Sequence, residues 1–265
     1  MIKINDIIIS QDHFPDNTLM LKFDKEFQSV FVNKAINYEW IYEDDSELFT
    51  LICLRRHLER YKRHVLFLPY VAHARMDRVK SEKDVFTLKY FCEIINSLNF
   101  EEVVVRDPHS NVSTALLNRV RCEDMHYWIE RALEQVNEEN LVLFFPDEGA
   151  MKRYSDLAKY PYAFGVKKRD WETGKIQGLA LVHGDIVKDK RVLIIDDICS
   201  FGGTFLHAAR ALREAGAAEV YLYVTHLESN VLKGEMYSSG LINKIYTTPS
   251  ITWQVPADVE DIEVL

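Results

Sequence analysis

The stretch VLIIDDICSFGGTF (192–205) runs through apolar residues, stops on two carboxylates and turns through a glycine pair into a threonine. An unbroken aliphatic run is the pattern of a strand buried on both faces, as parallel sheets contain. The loop after the strand reads as a cradle for an anion. Gly202 and Gly203 let backbone N–H groups converge, and a helix starting near Thr204 adds its dipole and a hydroxyl. Asp196 and Asp197 suit the two vicinal hydroxyls of a ribose, each carboxylate accepting from one. A glycine pair alone reads as a turn. Preceded by the two carboxylates, the loop Asp196, Asp197, Ser200, Phe201, Gly202, Gly203 and Thr204 points to a ribose that carries a phosphate.

Outward from that stretch the chain alternates. SVFVN (29–33), VLFLPY (65–70), EEVVVRD (101–107) and LVLFFPD (141–147) read as strands, as do YAFGVKKRD (162–170), GLALVHGD (178–185) and EVYLYVTH (219–226). Between them, 46–63, 84–99, 123–138 and 204–217 carry apolar residues at helical spacing. Strands alternating with helices predict an α/β protein, its mainly parallel sheets flanked by helices on both faces. At 265 residues the chain is long for one domain. The polar NEEN (137–140) is the natural boundary, giving domains 1–139 and 140–265.

In open parallel sheets ligands bind beyond the carboxyl ends of the strands. Four ends stand out: VLFLPYVAHARMDR (65–78), EEVVVRDPHS (101–110), LVLFFPDEGAMKR (141–153) and RVLIIDDICSFGGT (191–204). One aspartate after a strand is a turn or a helix cap. Four charged ends look like one site. Arg75 and Arg78 are forked cations suited to polyphosphate oxygens. Asp107 and His109 suit a magnesium ion, directly or through its waters, and Asp147 joins the same acidic group. Lys167 and Arg169 alternate along their strand and so share a face.

The net charge of −9 argues against broad nucleic-acid or anionic-membrane binding, though not against small phosphorylated ligands. No apolar run approaches the ~20 residues of a membrane span. Cys53, Cys92, Cys122 and Cys199 lack metal-site spacing and read as reduced thiols. With no signal peptide in the first residues, a soluble cytoplasmic protein is expected.

The stretch 192–217 resembles the phosphoribosyl-binding motif shared by type I phosphoribosyltransferases and ribose-phosphate diphosphokinases (PRPP synthetases). The rest of the chain resembles the second group. PYVAHARMDR (69–78) is similar to its P-Y-x-x-x-A-R-Q-D-R segment, VVVRDPHS (103–110) to V-x-x-x-D-L-H, and FFPDEGAMKR (144–153) to S-P-D-x-G-x-x-K-R. VKKRD (166–170) resembles K-R-R, HFPDNT (13–18) the F-x-D-G-E loop, and INKIYTTPSI (242–251) the terminal strand with T-N-T-I. The similarity runs in order from about residue 14 to residue 251.

The resemblance implies two phosphoribosyltransferase-like domains with the site in the cleft between them. It also implies transfer of the β,γ-diphosphate of MgATP to the anomeric hydroxyl of a ribose 5-phosphate moiety, releasing AMP. Lys167, Arg169, His109 and Asp147 would be catalytic. Phe14, Asp16, Arg75, Met76, Asp77, Arg78 and His109 would hold ATP, and Asp107, His109 and Asp147 the Mg2+. The family's adenine loop is often completed by a neighbouring subunit, so a homo-oligomer is expected.

The departures bear on the acceptor. Ser200 and Phe201 replace the aspartate and threonine of D-D-I-I-D-T-G-G-T, and Met76 stands where glutamine is usual. Asn118 and Cys122 fall where acidic residues are common, and the chain ends soon after TTPSI. Phenylalanine removes a hydroxyl from the phosphate loop and adds an apolar ring. That suits a phosphate continuing into something flat. ADP-ribose is such a molecule, and the resemblance extends to phage-borne relatives credited with diphosphorylating it in rebuilding NAD. Ribose 5-phosphate is the alternative, with Phe201 packing on a neighbouring loop. A silent regulatory homologue is a third reading, disfavoured by retention of Lys167, Arg169, His109, Asp147 and the Asp pair.

Overall fold

The computed structural model describes residues 1–23, 35–137, 139–157, 159–169, 176–251 and 253–265, with the backbone alone at 167–169 and 176–178. The strand expected at 29–33 lies outside the described residues. The chain divides into two compact units, Met1–Asp124 with Ser250–Thr252, and Met125–Pro249 with Trp253–Leu265.

The first unit is built on a six-stranded sheet. Its strands are β1 (Ile2–Ile4), β2 (Ile7–Ile8), β5 (Ile36–Trp40), β6 (His64–Leu68), β7 (Glu102–Val105) and β8 (Val120–Cys122), in the order β2-β1-β5-β6-β7-β8. β5 to β8 run parallel, and β1 joins antiparallel to β5 and β2. A separate two-stranded ribbon, β3 (Asp12–His13) with β4 (Leu19–Met20), is antiparallel. Two helices cover the sheet, α1 (Ser46–His57) and α2 (Thr87–Ser97). α2 buries Leu88, Phe91, Cys92 and Ile95, one apolar stripe at helical spacing. α1 stops at His57, short of the Arg63 expected from its pattern. After it Leu58, Glu59 and Tyr61 make turn bonds back to Leu54, Arg56 and Leu58, and His64 N–H donates to Glu101 as β6 begins. A short helix, α3 (Asn111–Leu116), lies after β7.

The second unit carries a seven-stranded sheet of β9 (Leu141–Phe145), β10 (Tyr162–Arg169), β11 (Ile176–Val182), β12 (Arg191–Cys199), β13 (Glu219–Leu227), β14 (Lys244–Thr247) and β15 (Ile262–Val264). The order is β11-β10-β9-β12-β13-β14-β15, parallel except for the β10–β11 pair. β12 is central, and its aliphatic run divides by the pleat. Val192 and Ile194 join a core with Leu206, Ala209 and Leu212 of α6 (Gly203–Glu214). Leu193 and Ile195 join the opposite core with Ile129, Ala132 and Leu133 of α4 (His126–Val136), and with Ala150 of α5 (Glu148–Arg153). Both faces of β12 are therefore buried, which is why its sequence does not alternate.

The division between units falls at Asp124/Met125, because α4 packs its buried stripe on the second sheet. The NEEN turn at 137–140 lies within the second unit, with Asn137 and Asn140 at φ 67° and 61°. No helix of the described residues is long and apolar enough to cross a membrane. The four cysteines are free thiols.

Candidate active site

The carboxyl end of β12 places Asp196 and Asp197 beside the loop that starts α6. The two carboxylates are not equivalent. Asp197 is buried, and Arg153, at the end of α5, sets its Nη1 3.1 Å from Asp197 Oδ2. Asp196 is partly buried, and its Oδ1 accepts from Asp197 N–H at 2.9 Å. Burial, then the neighbouring Asp197 charge, pushes the Asp196 carboxyl well above the usual carboxylate range. Such a pair favours ligands that bring hydroxyl donors or positive charge to it.

The loop beyond is shaped by its glycines. Gly202 caps α6 at φ 80°, a left-handed conformation costly for other residues. A Cβ there would also run into the Met236 thioether, 2.6 Å from Sδ. At Gly203 a Cβ would meet nothing within 4 Å. One glycine is thus required by the protein itself, and the other leaves the first turn of α6 uncovered. Phe201 is 55% exposed at the mouth of this loop.

Asp147 ends β9 and caps α5, its Oδ1 accepting from Gly149 N–H at 3.0 Å and Ala150 N–H at 3.1 Å. Its charge also bears on Asp196. Lys167 and Arg169 stand on β10, paired with Leu179 and Ile176 of β11, with a register irregularity between Lys168 and Arg169. For these two residues the structure places the backbone.

In the first unit the ends of β6 and β7 carry the other candidates. Arg75, Met76 and Arg78 are exposed in the loop after β6, and His109 is exposed after β7, while Asp107 is buried with φ 36°. Asp77 accepts from Arg78 Nε at 2.7 Å and Nη2 at 2.9 Å, and from Ser110 Oγ at 2.7 Å. Those contacts pull its carboxyl down to about 2, the Arg78 hydrogen bond contributing most. Ser110 also caps α3 through Val112 N–H. Asp77 therefore joins the two strand-end loops, holding Arg78 in one and Ser110 in the other.

On the β3–β4 ribbon, Asp16 accepts from Thr18 N–H and Oγ1 at 3.1 and 2.7 Å, closing a turn that presents Phe14 half exposed. Asn118 and Cys122 are exposed at the far edge of the same unit's six-stranded sheet; partial desolvation of the thiol, and then the Asp107 charge, raises Cys122 above its ordinary pKa. Among the described residues no three His, Cys, Asp or Glu side chains group as cation ligands.

Arg153 and Ser110 close two of the strand ends that the sequence marks as one site, but no role for either is legible there; contact alone gives them one, to Asp197 and to Asp77.

The family model for the phosphoribosyl transferase domain matches residues 118–260. The chain is 28% identical over 192 residues to the ribose-phosphate pyrophosphokinase of Saccharolobus solfataricus, spanning 70% of this chain and 65% of that relative. It is 30% identical over 202 residues to the enzyme of the same name from Sulfurisphaera tokodaii, spanning 74% of this chain and 68% of the relative. In fold it is similar to the phosphoribosylpyrophosphate synthetase of Mycobacterium smegmatis, with a TM-score of 0.76 at 20% identity, covering 97% of this chain and 85% of that one.

Proposed function

The chain belongs to the ribose-phosphate pyrophosphokinase family, and from that premise we propose that it transfers the β,γ-diphosphate of ATP to the anomeric hydroxyl of a phosphorylated ribose. The observation that carries this reading is the carboxylate pair Asp196/Asp197 at the mouth of a glycine loop whose Gly203 face is uncovered. The pair accepts from the ribose 2- and 3-hydroxyls. The N–H groups of the loop and of the first turn of α6 hold the 5-phosphate.

The anomeric hydroxyl gives up its proton to solvent as its oxygen bonds to the β-phosphorus of ATP, and the bond from that phosphorus to the oxygen shared with the α-phosphorus breaks, so AMP leaves with that oxygen. Lys167 and Arg169 are assigned to the charge on the transferring group, which is most of what a protein contributes to such chemistry. Arg75, Arg78, Met76 and Asp77, with His109, are assigned to ATP, and Phe14 and Asp16 to adenine. A partner copy completes the adenine contact in this reading, so sedimentation should show a homo-oligomer.

Mg2+ is assigned to Asp107, His109 and Asp147. These side chains do not group as one ligand set among the described residues; the assignment rests on the chemistry of Mg2+, which keeps water and phosphate oxygens as most of its ligands. When bound, the ion neutralises charge on the phosphates.

The finer reading of the acceptor is ADP-ribose, supported by the exposed ring of Phe201 beside the phosphate loop. Ribose 5-phosphate is the second reading, supported by the name the relatives share. Incubation with ATP, Mg2+ and each acceptor in parallel tests both. AMP should be released. ADP as the product would overturn the reaction, and a clear preference for ribose 5-phosphate would overturn the finer reading.

A further inference from the structure

The chain returns to the phosphate loop after β13. Glu228 N–H donates to Cys199 O at 2.9 Å, tying the start of the return to the end of β12. A 3-10 turn at Ser229–Lys233 leads to a short helix, α7 (Glu235–Ser238), with Gly234 between them. A Cβ on Gly234 would overlap the carbonyl oxygen and carbon of Phe201. These are backbone atoms, which cannot swing aside as a side chain does. One residue along the loop, Gly202 is sealed by Met236, whose Sδ, Cβ and Cε would lie 2.6, 2.8 and 2.9 Å from an added Cβ. Met236 is buried, and Arg210 of α6 reaches Glu235 at 2.5 Å.

The phosphate loop is therefore held from outside the motif. Its own hydrogen bonds begin the helix, as Leu206 N–H donates to Gly202 O at 2.9 Å, but its position is set by Gly234 and Met236. We propose that Gly234 and Met236 are positioning residues for the acceptor phosphate: the bare Cα of Gly234 lets the Phe201 carbonyl seat against the return segment, and the Met236 thioether closes the far side of Gly202. The loop is thereby pinned with its Gly203 face outward. The seat also fixes the backbone from which the Phe201 ring projects. This inference rests on the assignment of the glycine loop to the acceptor phosphate.

The test uses Gly234→Ala, Met236→Ala and Met236→Leu in the full chain. Steady-state KM is measured separately for ATP and for the acceptor, with ribose 5-phosphate and ADP-ribose as the probes, and a thermal melt reports folding. Gly234→Ala should raise the acceptor KM about tenfold or more while the ATP KM stays within about twofold, because a shift of about 1 Å in a cradle is costly. Met236→Ala should move the acceptor KM in the same direction, and Met236→Leu, which refills the space, should restore it. Should Gly234→Ala fail to fold, the two Met236 variants decide. Equal acceptor KM in wild type and folded variants overturns the positioning role alone. Parallel rises in both KM values reduce the pair to general structural support and overturn it as well. Failure of the wild type to use either acceptor overturns the proposed function and this inference with it.

Discussion

Arg153 Nη1 lies 3.1 Å from Asp197 Oδ2, so the helix after β9 holds the carboxylate at the end of β12. The Asp197 side chain is 6% exposed and that of Arg153 26%. Removing one partner of such a pair strands the other's charge. Arg153→Met should destabilise the protein by about 3 kcal/mol in urea denaturation. Adding Asp197→Asn should recover most of that loss. An additive double mutant would show that the two residues do not act as a pair.

Asp196 makes a prediction in pH. Burial, and then the neighbouring Asp197 charge, pushes its folded-state carboxyl up to about 8, from near 4 when unfolded. The folded state thus holds the proton more tightly, and the group's contribution to stability is present below about pH 4 and lost as pH rises to about 8. Asp196→Asn should flatten this part of the ligand-free stability profile and raise stability at about pH 8, while abolishing acceptor binding. Thermal melts from about pH 5 to about pH 9 check the first half and titration with ribose 5-phosphate the second.

Asp77 has the opposite sign. Arg78 and Ser110 hold its carboxyl down to about 2, so its contribution is present above about pH 4 and lost as pH falls through about 2. Ser110→Ala removes both a hydrogen bond to Asp77 and the cap of α3, a loss of about 1 kcal/mol. The acid unfolding midpoint should rise, and the ATP KM should rise more than the acceptor KM. A selective effect on the acceptor would separate this loop from ATP.

The two loop glycines should respond differently to a methyl group. Gly202→Ala meets both a φ of 80° and the Met236 side chain, so it should lose at least about 1–2 kcal/mol. Gly203→Ala meets no neighbour and lies in a helix turn, where alanine gains about 0.5–1 kcal/mol over glycine. Its thermal midpoint should hold or rise while acceptor binding weakens, since the methyl would stand on the uncovered face. Unchanged binding would move the phosphate off that face.

The sequence is legible wherever one residue pattern has one cause. VLII in β12 is aliphatic throughout because both faces are buried, and no helix competes for so short a run between polar ends. β5 is hidden because INYEW puts Asn37 and Glu39 between its buried residues, diluting an apolar signal that only the pleat explains. α1 reads as longer than it is because its pattern continues after the chain has turned toward β6. At the site, chemistry carried by a residue's own side chain is visible in Asp196 and Asp197. Roles created by contact are not. Nothing local to Gly234 announces the Phe201 carbonyl, and although 141–153 reads as an end of the same site as Asp197, it does not single out Arg153 as the partner.

The placing of β12 between β9 and β13 also governs how the second sheet is assembled during synthesis. Leu141 pairs with Arg191, and Arg191 with Glu219, so β9 emerges from the ribosome long before the strand that must lie beside it. Until then LVLFF has β10 on one side and an open edge on the other. Such distant parallel pairing is slow to close and exposes aggregation-prone surface meanwhile. A nascent chain halted between β11 and β12 would present that aliphatic edge to any neighbour; β12 covers it and passes the open edge on to β13.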